Sequence, residues 1–168
     1  HALKSAGYGV VANDHNAFAH TLAMCYIQAH GPAVERRAGA IIDELNALPG
    51  APGYITDMYC HRSRFFHPRN GERIDAMRDR IEAMSLPPEL GAVVLTSLIE
   101  AADRVDSTTG VQMAYLKQWA PRAHNPICLR LPAILPHPGG RPCAAHRLDA
   151  AEAAKLDADI AYLDPPYN

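Results

Sequence analysis

The sequence lacks the features that several classes of protein require. It has no apolar run near the roughly 20 residues that a helix needs to cross a bilayer, and no basic segment followed by an apolar stretch at its start. Its 4 cysteines are scattered without a Cys-x-x-Cys pair, which disfavours both a disulfide framework and a zinc knuckle. These absences favour a cytoplasmic protein with reduced thiols.

Metal and hydrolase sites also find little support. Cys143 and His146 have the spacing of metal ligands on a helix, and Cys60-His61 would complete a set of four. No matched pair at knuckle spacing accompanies them, so we expect no metal site. No histidine has a serine or cysteine partner at a recognisable spacing, so a hydrolase triad is not predicted.

The composition that is present fits one globular domain. The chain has 168 residues, of which 48% are hydrophobic and 20% charged, enough apolar material for a core. The dipeptide Asn70-Gly71 predicts a turn, and the prolines between residues 121 and 142 predict loops with at most short edge strands. Apolar spacing and capping residues, with Asn16 as a helix N-cap, predict two strands and five helices. The strands are predicted at 9–13 and 159–163, and the helices at 17–30, 33–48, 74–84, 89–105 and 149–156. This order predicts an α/β fold in which a long, mostly helical segment separates two core strands.

The first candidate site is the polar triplet Asn13-Asp14-His15, which follows the first predicted strand. Ligands of open α/β sheets bind at the carboxyl ends of the strands, where an acidic side chain can accept both hydroxyls of a ribose. The alternative is an aspartate that only shapes the turn before the helix, since short Asx turns are common.

The second candidate site is Asp164-Pro165-Pro166-Tyr167, which follows the second predicted strand. Two prolines end a strand and fix the direction of the neighbouring carbonyls. The Asp164 carboxylate and the Pro165 carbonyl could then accept hydrogen bonds from an amino group, with the Tyr167 ring stacking on a base. The alternative is a proline-terminated strand followed by a plain turn.

Basic residues suggest a third site. No Asp or Glu occurs from residue 107 to 148, and arginines outnumber acids between residues 62 and 80, around Phe65-Phe66. Such segments can lie along a polyanion. We therefore predict contacts with the DNA backbone at Arg62, Arg64, Arg69, Lys117 and Arg122. The alternatives are a solvated surface and a salt-bridged helix face, and Trp119 is more typical of a core residue.

Several blocks of the sequence together resemble a known family. "GYGVVANDHN" resembles the strand and acidic turn of the D12 class of DNA adenine-N6 methyltransferases, the Dam-like group. "DIAYLDPPYN" resembles the catalytic strand and loop of that class. "FFHPRNGERIDAMRDRIEAM", "LIEAADRV" and "GVQMAYLKQWAPRAHNPICLRLP" resemble the insertion of one subgroup. The resemblance covers nearly the whole chain.

The resemblance implies part of a Rossmann-like sheet of an S-adenosylmethionine (SAM)-dependent methyltransferase, interrupted by a largely helical target-recognition insertion. Residues 1–32 and 149–168 would belong to the methyltransferase core, and residues 33–148 to the insertion. Asn13, Asp14, His15 and Asp164 would bind SAM. Asp164, Pro165, Pro166 and Tyr167 would be catalytic on an adenine flipped out of the duplex, without a metal or a covalent enzyme intermediate.

The implied function is site-specific DNA adenine-N6 methylation in a restriction-modification or orphan system. The expected partners are double-stranded DNA and a cognate restriction endonuclease, and the expected state is a monomer. Alternatives are methylation of cytosine N4 or of an RNA base, and a catalytically silent DNA-binding fragment. The glycine-rich cofactor loop of the family is not matched by "SAGYG", and "HALK" resembles the tail of a helix that precedes the acidic strand. We therefore expect an internal fragment whose own activity is in question.

Overall fold

The computed structural model describes residues 1–110 and 116–164 of the chain. These residues form a mainly helical structure with one small parallel sheet. The strands are β1 (Val11–Asn13) and β2 (Ala144–His146). The α-helices are α1 (Ala2–Ser5), α2 (Ala17–Ala23), α3 (Pro32–Ala47), α4 (Tyr54–Thr56), α5 (Pro68–Ala83), α6 (Pro88–Asp103) and α7 (Ala150–Ala153). Two π-helical turns, Met24–Gln28 and Asp57–His61, continue α2 and α4, and two 3₁₀ turns span Pro121–His124 and Pro138–Gly140.

The helices begin at residues that suit a helix start. The Asn16 side chain accepts a hydrogen bond of 2.8 Å from the Phe18 amide, which confirms the predicted N-cap of α2. The three long helices α3, α5 and α6 each have proline at the first position, where the missing N–H would have no intrahelical partner. Helix α5 begins at Pro68, so the predicted turn at Asn70-Gly71 is wrong. Both residues are buried in the first turns of that helix.

The core lies where α6 packs against α3, α5 and the π-helical turn that follows α2. Helix α6 is apolar on most of its circumference, which is the pattern of a helix covered on several sides. No helix in residues 1–110 or 116–164 combines the length and apolar character needed to cross a membrane. The largest fully buried apolar side chains of the core are Leu45, Met77, Val93, Val94 and Ile127.

The sheet joins the two ends of the chain. Strands β1 and β2 pair in parallel, with Val11 opposite Ala144 and Asn13 opposite His146. Strand β2 was not predicted, because Ala144, Ala145 and His146 carry no β-branched or aromatic side chain to indicate a strand.

The predicted buried strand at 159–163 is also wrong within the described structure. The two-stranded sheet does not include it, and Ile160, Tyr162 and Leu163 are 86%, 86% and 85% exposed. A strand is stabilised by the ladder hydrogen bonds and packing that its neighbours supply. An apolar sequence alone therefore does not form a strand.

The proline-rich segment that follows the first 3₁₀ turn is held by side-chain amides instead of a sheet. Asn70 donates to the carbonyls of Ala123 and Asn125 at 3.0 and 2.9 Å, and its oxygen accepts from the Ile127 amide at 3.0 Å. Asn46 forms the same two-way contact with the backbone of Leu129. These bonds satisfy backbone groups that would otherwise be buried without partners.

Candidate functional site

The acidic turn lies at the carboxyl end of β1, as its sequence predicts. Asp14 is exposed, and its Oδ1 accepts a hydrogen bond of 2.7 Å from the Asn16 amide. Its own amide donates to the His146 carbonyl at 3.2 Å. The Asx turn of the alternative interpretation is therefore present, yet the exposed carboxylate can still accept hydrogen bonds from a ligand.

The residues on both sides of Asp14 are tied to the segment that follows β2. The Asn13 side chain exchanges two hydrogen bonds with the backbone of Leu148, at 2.9 and 3.2 Å. Arg147 Nε donates to the His15 carbonyl at 3.0 Å. The turn is thus held against a chain segment more than 130 residues away. Because β2 was not predicted, neither was this contact.

The second predicted site falls only partly within the described residues. Asp164 is exposed at the end of the non-strand segment. Pro165, Pro166 and Tyr167 lie outside the described residues, so the contacts of that loop remain a prediction.

The predicted DNA-binding residues lie in two chain segments that pack side by side. We call residues 62–69 together with 116–124 the basic face. The Arg64 guanidinium donates to the carbonyl of Lys117. The His67 ring lies 5.5 Å from the Trp119 ring and 5.4 Å from the His124 ring, between centroids. Trp119 is half-buried in this contact. Predicted residues some 50 positions apart in sequence thus share one surface.

The five predicted cations differ in their electrostatic partners. Arg62 pairs with Asp57 at 3.0 Å, and both side chains are exposed. Arg122 is exposed, forms an ion pair with Asp106 and also donates to the backbone carbonyls of Asp106 and Thr108, so its charge is partly compensated. Arg64, Arg69 and Lys117 are exposed and form no ion pair with a described residue. These three are the cations most available to a polyanion.

A cleft of about 520 Å³ opens in the basic face. Arg64 and Lys117 line it beside Phe65, and the hydroxyls of Ser107 and Thr108 complete its wall. Positive charge, hydroxyl donors and an aromatic ring are the groups that bind nucleic-acid backbones and unstacked bases.

An exposed aromatic group that the sequence analysis missed borders this cleft. Tyr59 contacts Tyr54 and Phe65 edge to face, with ring centroids 6.0 and 5.8 Å apart. The three rings are 36 to 65% exposed. In the sequence, Tyr54 and Tyr59 lie close to Phe65, which the sequence analysis had noted. That the three rings meet is visible only in the structure, where α4 and the turn that continues it bring them together.

The candidate metal ligands do not converge. Cys143 is buried and its sulfur accepts a hydrogen bond from the Val10 amide, while His146 lies on β2. Burial raises the pKa of the Cys60 thiol to about 11, which keeps it protonated at neutral pH. Nowhere in residues 1–110 and 116–164 do three His, Cys, Asp or Glu side chains form a set that could hold a metal ion.

The described residues form a mainly helical protein with an exposed acidic turn beside a two-stranded parallel sheet and a separate basic face. The chain is 33% identical over 168 residues to the type II methyltransferase M.NlaIII of Neisseria lactamica. The aligned region covers 95% of this chain and 49% of the relative. It is 34% identical over 126 residues to M.CviAII of Paramecium bursaria Chlorella virus 1, covering 70% of this chain and 36% of the relative. M.FokI of Planomicrobium okeanokoites is 36% identical over 123 residues, covering 68% of this chain and 18% of the relative.

The family model for D12 class N6 adenine-specific DNA methyltransferases matches residues 1–168. The chain belongs to this family, which confirms the resemblance seen in its sequence blocks. It spans about half the length of the Neisseria lactamica relative, and less of the others. No solved structure matches the chain.

Proposed function

We propose that this chain is part of a site-specific DNA methyltransferase that transfers a methyl group from SAM to N6 of an adenine. The observation that carries the proposal is the match of the D12 family over all 168 residues. The convergence of Arg64, Lys117 and Phe65 in one cleft supports a DNA substrate. Because the relatives are named type II methyltransferases, we also propose a cognate restriction endonuclease as the functional partner.

The proposed core consists of residues 1–32 and 149–168, and the proposed insertion of residues 33–148. The parallel pairing of β1 with β2 is compatible with a small part of a Rossmann-like sheet. Strand β2 lies in the last residues of the insertion, so we propose that the chain returns to the core there.

The acidic turn has the properties that a SAM site requires. The Asp14 carboxylate is exposed at the carboxyl end of a parallel strand, where it can accept hydrogen bonds from the two ribose hydroxyls. Asn13 and His15 are held in place by the segment after β2, so the turn is preorganised. When bound, SAM supplies a methyl group that is activated by its sulfonium.

The catalytic work assigned to Asp164, Pro165, Pro166 and Tyr167 is to hold and activate the adenine amino group. The N6 lone pair is delocalised into the ring, so N6 is a poor nucleophile. Two oxygen acceptors aimed at its N–H bonds favour a tetrahedral nitrogen, and the Asp164 carboxylate stabilises the positive charge that develops there. Tyr167 would stack on the flipped base.

The proposal is tested by incubating the full-length protein that contains this chain with SAM and unmethylated DNA, then digesting the DNA to nucleosides for mass spectrometry. We expect N6-methyladenine from the wild type and a loss of about 10²-fold or more in Asp164→Ala. In calorimetric titrations, Asp14→Ala should bind SAM more weakly than the wild type. The exposed Asp79→Ala on α5 is the matched control and should change neither readout. N4-methylcytosine, or DNA binding without any methylated product, would contradict the proposal.

A further inference from the structure

A second concavity, of about 290 Å³, lies at the start of α5. Its lining includes His67, Arg69 and Arg73 on one side, and His124 and Asn125 on the other. None of the described residues that line it is acidic. A pocket with two guanidinium groups, two imidazoles and no carboxylate attracts an anion.

The two arginines have hydrogen-bond donors to spare. Arg73 Nη2 donates to the Asn46 carbonyl at 2.8 Å, but its Nε is buried and has no partner among the described residues. Neither Arg69 nor Arg73 forms an ion pair with a described residue. A buried guanidinium N–H without an acceptor is costly, and an oxyanion in the pocket would supply one.

The histidine rings also indicate a positive electrostatic potential in the pocket. Burial lowers the pKa of His67, and the positive charges of Arg69 and His124 lower it further. His67 Nδ1 accepts a hydrogen bond of 3.4 Å from the Arg69 amide, which requires that nitrogen to be unprotonated. The His67 and His124 rings are therefore held beside the arginines, and His67, whose Nδ1 is an acceptor, has Nε2–H as the donor that an anion could use.

We propose that this pocket binds one phosphodiester group of the DNA backbone. The inference rests on the proposed function, and it identifies the place where the insertion holds its substrate. The pocket is continuous with the basic face, because His67 contacts Trp119 and His124 in the segment that also carries Lys117. SAM carries no phosphate, so a phosphate ligand here belongs to the nucleic acid. Arginine pairs bind phosphate oxygens with defined geometry and so fix the position of a duplex without reading its sequence.

The test measures binding of the intact protein to a random-sequence duplex of about 20 base pairs over a range of salt concentrations. We expect Arg69→Gln/Arg73→Gln to bind about tenfold more weakly or worse. The slope of log K against log salt should become less steep by about 0.9, the value for one lost phosphate contact. The control Arg78→Gln removes an exposed arginine of the same helix that does not line the pocket. It should keep the wild-type slope.

Arg69→Gln alone decides the result if the double variant is unfolded by thermal melting, because Arg69 is exposed and packs little. Binding and salt slope equal to those of Arg78→Gln would overturn the inference. If that variant still methylates DNA like the wild type, the proposed function stands and only the pocket assignment fails. A wild type that shows the expected loss on substitution but never methylates DNA would support the pocket and contradict the proposed function.

Discussion

At the scale of single residues, Asp75 shows how one carboxylate can position a whole loop. It is buried on α5, and its Oδ2 accepts from the amides of Gly53 and Thr56 and from the Thr56 hydroxyl, at 2.7 to 2.9 Å. Its Oδ1 accepts from the Ile55 amide at 2.8 Å. These donors include the free amides at the start of α4, so Asp75 caps that helix from another element. It thereby holds Tyr54 and its neighbours next to the basic face.

Replacing this carboxylate with an amide should be costly. In Asp75→Asn one of the two acceptor atoms becomes an NH₂ group facing backbone N–H donors, and the charge assistance of the others is lost. We expect the free energy of unfolding to fall by about 2–4 kcal/mol. Urea denaturation measures this free energy. The control is Asp79→Asn, at an exposed acid of the same helix, which should change the free energy of unfolding by less than about 0.5 kcal/mol.

The stabilisation by Asp75 should depend on pH. Burial alone would raise the pKa of Asp75, but the hydrogen bonds from Thr56, Ile55 and Gly53 outweigh burial and hold it below the ordinary 3.8. A carboxyl group whose pKa is lower in the folded state than in the unfolded state stabilises the fold at any pH above the unfolded-state pKa. This stabilisation is lost as the pH falls through the folded-state pKa. The stability difference between wild type and Asp75→Asn should therefore narrow below about pH 3.8. A constant difference down to acid unfolding would contradict the ionised state.

At the scale of elements, the sequence predicted helices well where a local signal marks their ends. Helices α3 and α6 were placed within two residues of their observed ends, because apolar residues recur at helical spacing along them and proline-containing dipeptides, Pro49-Gly50 and Pro87-Pro88, flank them. The sequence could not predict that α5 begins at Pro68, since Asn70-Gly71 has the local chemistry of a turn. What decides that position is tertiary, because Asn70 bonds to the 123–127 backbone and Gly71 packs against the π-helical turn Asp57–His61.

Helix α5 packs on the π-helical turn Asp57–His61, and this packing should make a glycine-to-alanine change in the helix destabilising. Alanine usually stabilises a helix interior by up to about 1 kcal/mol relative to glycine. A Cβ on residue 71 would overlap Cys60 Sγ and approach Thr56 Cα to 3.4 Å. We therefore expect Gly71→Ala to lower the free energy of unfolding by about 1–3 kcal/mol.

The control for this prediction is Gly39→Ala in α3, where a Cβ would meet no atom within 4 Å. It should raise the free energy of unfolding by about 0.5–1 kcal/mol. Adding Cys60→Ala to Gly71→Ala should restore part of the loss by removing the overlapping sulfur. Equal, stabilising effects at both glycines in thermal unfolding would show that α5 can move away from the turn at little cost.

At the scale of the whole molecule, the candidate site was predictable as residue types but not as an arrangement. An acid after a strand and basic residues near aromatic ones are patterns that the sequence shows, and Asp14, Arg64 and Lys117 became candidates because of them. The pairing of β1 with β2 and the contact between residues 62–69 and 116–124 depend on long-range packing, which no local pattern encodes. Charge compensation is equally invisible in sequence, which did not show that Asp57 pairs with Arg62 and Asp106 with Arg122.

The segment 159–163 shows the largest difference between its local sequence pattern and its structure. The effect of substitutions in this segment on the free energy of unfolding can be measured. Its apolar run predicts a buried strand, whereas Ile160 is 86% exposed. Ile160→Ser should then change the free energy of unfolding of this chain by less than about 0.5 kcal/mol. The same substitution at Ile127, which is 2% exposed in the core, should cost about 3–5 kcal/mol. If guanidinium denaturation gives similar losses at both isoleucines, the segment is buried as a strand after all, because only a side chain removed from water loses that much on truncation.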